Sequence, residues 1–107
     1  MFHHPQVPTV SVADLTEDAL GAVRVLDVRE DDEFAGGHID GAQHIPLGQL
    51  PGRLDEIPDD VRVVCVCAVG ARSARAAHFL NAAGKDAVNL DGGMYQWATA
   101  GRPVAAG

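Results

Sequence analysis

The chain has 107 residues, with 15 Asp or Glu against 8 Lys or Arg and a formal charge of −7. That length suits one domain with one core, and the acidic balance argues against general binding to nucleic acid or anionic membrane, both of which want a basic surface. No apolar run approaches the roughly 20 residues of a membrane helix, no apolar signal core is readable near Met1, and Cys65 and Cys67 stand too close to make a disulfide framework.

The expectation is therefore a cytoplasmic domain over 1–107, with a core over about 8–104 and a flexible 1–7 that includes His3 and His4. Thr9–Val12 reads as a short edge strand and Ala13–Leu20 as a short helix. Val23–Val28 is β-branched and apolar, a buried strand. Glu30–Ala35 is an acidic helical turn closed by Gly36 and Gly37, with the acids opposing the positive dipole end. Gln43–Ile45 is a brief strand. Leu47–Ile57 offers helical pieces, interrupted at Pro51 and stopped before Pro58.

Val61–Val66 is a second buried strand, followed by a loop over Cys67–Arg72. The clearest helix comes next: Ser73 as N-cap, an apolar stripe of Ala76, Phe79, Leu80 and Ala83, and Gly84 as the C′ residue. Ala87–Leu90 is a further strand, and Gly92-Gly93 leads into a helix over Met94–Ala100 that carries Trp97. Strands alternating with helices imply a mainly parallel sheet covered on both faces. In such sheets ligands sit beyond the carboxyl ends of the strands. Asp27 and Arg29 end one candidate strand, and Cys67 ends another.

Cys67-Ala68-Val69-Gly70-Ala71-Arg72-Ser73 is the informative stretch. A thiol at a strand end, a short loop with one glycine and then a helix start can turn several N–H groups toward the sulfur. The helix dipole favours an anion there. Helix N-termini and nearby cations lower a cysteine pKa, so Cys67 is placed to be a nucleophilic thiolate. Gly70 suits tight curvature or a positive φ, and Arg72 adds a permanent cation. Cys65, mid-strand among valines, reads as a small hydrophobe. A disulfide between the two would be strained.

The Cys-x-x-Gly-x-Arg-Ser loop resembles the active-site loop of the rhodanese sulfurtransferases. Leu26-Asp27-Val28-Arg29-Glu30, Glu33-Phe34 and Gly37-His38-Ile39-Asp40-Gly41-Ala42 resemble the family's first signature, continued by His44-Ile45-Pro46-Leu47. Leu90-Asp91-Gly92-Gly93-Met94-Tyr95-Gln96-Trp97 resembles the segment before its last helix. The likeness runs from about Val10 to Pro103. It implies a single three-layer α/β/α rhodanese domain with a mainly parallel sheet of about five strands. It further implies that Cys67 takes sulfane sulfur from thiosulfate or a persulfide and holds it as a persulfide. The N–H groups of Ala68, Val69, Gly70, Ala71 and Arg72 would hold the outer sulfur, and cyanide or a thiol would remove it. No metal or organic cofactor is required, and nothing demands more than a monomer.

Related phosphatases use Cys-x5-Arg, whereas four residues separate Cys67 from Arg72, which suits a cradle for sulfur rather than phosphoryl. The variable positions Ala68, Val69 and Ala71 are uncharged, so a small or protein-borne persulfide is expected to serve better than dianionic thiosulfate. The rival expectation is a rhodanese-fold sulfur carrier or regulatory module that acts mainly with a protein partner. Asp27 is expected to accept hydrogen bonds from backbone or Arg72 and orient the site. Arg29 is expected to pair with Glu33 or another acid rather than attract the donor. His38 and His44 read as hydrogen-bonded loop histidines, His78 as solvated, and Trp97 and Phe79 as core. Cys65 and Cys67 with these histidines lack the spacing of a metal site.

Overall fold

Val23–Asp27 (β2) and Arg62–Val66 (β4) are the two β-branched runs of the chain, and they pair in parallel along their whole length, Val23 opposite Arg62 and Asp27 opposite Val66. In the computed structural model, which describes residues 7–107, they form the centre of a five-stranded, all-parallel sheet. Thr9–Val10 (β1), Gln43–His44 (β3) and Ala87–Leu90 (β5) complete it in the order β1-β5-β4-β2-β3. Met1–Gln6, with His3 and His4, lie outside the described residues.

Side chains alternate across a strand, so β4 feeds two cores. Val63 and Cys65, and Cys67 beyond the strand end, face one layer with Leu26, Val28, Ala76, Ala77 and Leu80. Val64 and Val66 face the other with Val25, Val88, Leu90, Met94 and Trp97. Ala71–Ala82 (α3) covers the first face; Glu17–Gly21 (α1) and Gly93–Thr99 (α4) cover the second. The expected three-layer α/β/α architecture is the one observed.

Three local expectations change. The helix predicted over Ala13–Leu20 is split into a 3₁₀ turn, Val12–Asp14, and α1. Two caps compete within it: the Ser11 hydroxyl accepts from the Asp14 N–H at 3.2 Å and the Thr16 hydroxyl from the Ala19 N–H at 3.1 Å, so each starts its own turn. Pro51 sits inside a 3₁₀ turn, Leu47–Gly52, rather than breaking it. Finally, Ser73 is not the N-cap of α3. The helix starts at Ala71, and Gly70 occupies the cap with φ +106°. Its buried stripe is Ser73, Ala76, Ala77 and Leu80, while Phe79 is half-buried and Ala83 exposed. Gly84 follows the helix with φ +89°, as expected of C′. The acidic turn is a short helix, Asp31–Ala35 (α2).

Candidate active site

β2 and β4 are neighbours, so their carboxyl ends bring Asp27, Arg29 and Cys67 to one edge of the sheet. The chain leaves β4 at Cys67, turns at Gly70 and enters α3. The turn aims donors back at the sulfur: the Gly70 N–H donates to Cys67 Sγ at 3.0 Å and the Ser73 hydroxyl lies 3.2 Å away. Burial alone pushes the Cys67 thiol up. The Ser73 hydroxyl and the N–H groups of Ser73, Gly70 and Val69 outweigh it and hold the pKa below the ordinary value of 9.0. Cys65, on the same face two residues earlier, has no such donors, and burial, assisted by the charge of Cys67, pushes its thiol up to about 12.

Two arginine–carboxylate pairs flank this loop, and each takes one of the alternatives left open by the sequence or a partner outside them. Asp27 does not meet Arg72. It accepts from the Arg29 backbone N–H at 3.0 Å and from Arg29 Nε and Nη2 at 3.0 and 2.8 Å. Arg29 Nη2 also donates to the Gly37 carbonyl at 2.8 Å, and both side chains are buried. Arg29 therefore pairs with an acid, as expected, and that acid is Asp27; it ties the end of β2 to the turn after α2. Glu33 takes Arg72 in a two-pronged pair, with Nη1 to Oε1 at 2.7 Å and Nη2 to Oε2 at 2.9 Å. The Arg72 guanidinium holds the Glu33 carboxyl down at about 2.

The rhodanese-like domain family matches residues 11–100, most of the chain. The chain belongs to that family. A sulfurtransferase of Allochromatium vinosum is 41% identical over 92 residues, covering 85% of this chain and 82% of the relative. A thiosulfate sulfurtransferase, GlpE, of Pseudomonas fluorescens is 38% identical over 100 residues, covering 92% and 89%. The crystal structure of a rhodanese-related protein from Thermoplasma volcanium superposes with a TM-score of 0.89 at 34% identity, covering 94% of this chain and 99% of that one.

Two residues of this rhodanese-like loop region escaped the sequence reading. Asn89 is buried in β5, and the Ser73 hydroxyl lies 2.6 Å from its Oδ1. One hydroxyl carries one proton. Ser73 thus faces two acceptors, and Cys67, Ser73 and Asn89 form a buried polar chain. The signal was present in the sequence: a lone amide inside the apolar run Ala87-Val88-Asn89-Leu90. The second is Gly93. The N–H groups of Met94 and Tyr95, at the start of α4, donate to the carbonyls of Cys67 and Ala68 at 2.8 and 2.9 Å. With those carbonyls held outward, the loop's N–H groups are free to face Sγ. A Cβ on Gly93 would lie 2.2 Å from the Cys67 carbonyl oxygen, so only glycine permits this approach.

His38 and His44 both stack with Phe34, with ring centroids 3.8 and 4.3 Å away. Each ring also meets a backbone carbonyl, that of Phe34 at 2.9 Å and that of Arg29 at 2.8 Å. His78 is exposed, Trp97 is buried and Phe79 packs on the core from a half-buried position. A cavity of about 470 Å³ lined by Ser11, Asp91, Gln96 and Arg102 includes no residue of the cysteine loop.

Proposed function

We propose that this rhodanese-like chain transfers sulfane sulfur through a persulfide on Cys67. The observation that carries the reading is the set of N–H and O–H donors converging on Cys67 Sγ while Cys65 has none. The sulfurtransferase names of its relatives agree with it. The Cys67 thiolate attacks the outer sulfur of thiosulfate, a sulfur–sulfur bond forms on Cys67, and the old bond breaks to release sulfite. With an organic persulfide the leaving group is a thiolate, which takes the remaining proton. The N–H groups of the Cys67–Arg72 turn hold the anionic outer sulfur. Cyanide or a thiolate then attacks that sulfur and releases Cys67. Each half-reaction is a sulfur displacement that needs no metal or organic cofactor, and the cycle is ping-pong.

A second reading, a sulfur carrier loaded by a protein partner, is favoured by the rim of the loop. Val69 and Tyr95 are 65% and 66% exposed, and Tyr95 is joined to the loop through the Ala68 carbonyl. Intact mass after incubation with thiosulfate tests both. One added sulfur atom on the parent, absent from Cys67→Ser and released by cyanide, is expected. Full sulfur transfer by Cys67→Ser would overturn the mechanism. A parent that stays unloaded by thiosulfate but gains sulfur from a protein persulfide would favour the carrier.

A further inference from the structure

The two arginines that flank the Cys67 loop, Arg29 and Arg72, are both paired with carboxylates. Arg29 is buried against Asp27 and the Gly37 carbonyl. Arg72, the cation of the loop itself, has both Nη groups on Glu33. The first turn of α2 adds Glu30, Asp31 and Asp32, all exposed. Arg75, one turn further along α3, lies in a groove with Leu47, Pro51 and Phe79. The pair with Glu33 persists at every working pH, because Glu33 titrates only near 2.

The two donor classes differ in charge at the moment of attack. A thiolate meeting thiosulfate brings together charges of −1 and −2, while a thiolate meeting a protonated organic persulfide brings −1 and 0. Only the first encounter needs a free cation. Resting on the sulfurtransferase reading, we infer that Glu33 is a specificity-determining residue: by neutralising Arg72 it disfavours dianionic donors and leaves the Cys67 loop selective for persulfides of low charge.

Glu33→Gln isolates the charge. Glu33 Oε1 also accepts from the Glu30 backbone N–H at 2.9 Å, closing the first turn of α2, and a glutamine Oε1 can accept the same bond. The experiment is single-turnover loading of Cys67, followed by intact mass, with dianionic thiosulfate and with an alkyl persulfide that carries no charged group besides the persulfide itself, at low and high NaCl. The ratio of thiosulfate to persulfide kcat/KM is expected to rise about tenfold in the variant at low salt, the scale of one unscreened charge near a surface. In the parent, added NaCl is expected to leave thiosulfate loading unchanged or to speed it; in the variant, to slow it. An unchanged ratio would overturn the proposal. So would parent loading that falls steeply with salt, a result that stands even if the variant does not fold. Failure of both donors to load the parent would defeat the sulfurtransferase reading itself.

Discussion

Cys65 and Cys67 are two residues apart on one strand line, face the same layer and are both fully buried. Yet one thiol is pushed up to about 12 and the other is held below its ordinary value. Inside β4 the backbone N–H groups are committed to the sheet ladder, and among the described residues no hydrogen-bond donor is aimed at the Cys65 sulfur. One step past the strand end they are released, and the turn at Gly70 redirects them to sulfur. The contrast in thiol acidity follows from the point at which the sheet ends, because burial is common to both residues.

The strongest way to break that contrast is at Gly93, which keeps the Cys67 and Ala68 carbonyls outward. Gly93→Ala places a methyl against the Cys67 carbonyl at a φ of +53°. A loss of roughly 2–4 kcal/mol in urea unfolding is expected, as for an overpacked site with a strained backbone. A loss below about 0.5 kcal/mol would mean that the loop tolerates a shifted α4.

Ser73→Ala should act on the chemistry with less effect on the fold. It removes the hydroxyl whose one proton is shared between Cys67 Sγ and Asn89 Oδ1. The depressed thiol pKa then rises, so the thiolate appears at higher pH and the acidic limb of the pH–rate profile moves to alkaline values. A shift of about tenfold in proton concentration fits one hydrogen bond to an anion. Thiolate absorbance against pH reads it directly, and an unmoved titration would assign the control to backbone N–H groups alone.

The smallest effect is expected at Cys65. Cys65→Ala deletes one buried sulfur at a cost of about 1 kcal/mol, and the pH profile of sulfur loading should stay where it was. A moved profile would show that the two thiols communicate.

The acid side offers a different check. The Glu33 carboxyl, depressed to about 2 from 4.5, stabilises the fold fully above pH 4.5, and that contribution fades as the pH falls toward 2. Glu33→Gln should therefore lose stability relative to the parent at pH 7 and converge with it near pH 2. Equal unfolding midpoints across that range would show that the pair with Arg72 is worth nothing to the fold. The pair is one-third exposed, which limits its size to about 1 kcal/mol or less.

By itself the sequence determined what depends on local patterning. The β-branched runs at Val23–Val28 and Val61–Val66, buried over most of their length, specified parallel strands, and Cys67 at the end of one marked the candidate site. Gly70 and Gly84 announced their left-handed backbone because few other residues adopt it. Tertiary structure alone decided which side chains meet across elements. Arg29 and Arg72 each had several acids within reach along the chain, and only the packing of α2 against the start of α3 gave Glu33 to Arg72 and left Asp27 to Arg29. Ser73 looked like a cap because its type suits one, but Asn89, sixteen residues on, drew it into the core. Periodicity is encoded residue by residue, whereas the choice among equally charged partners is made by distance, which exists only once the chain is folded.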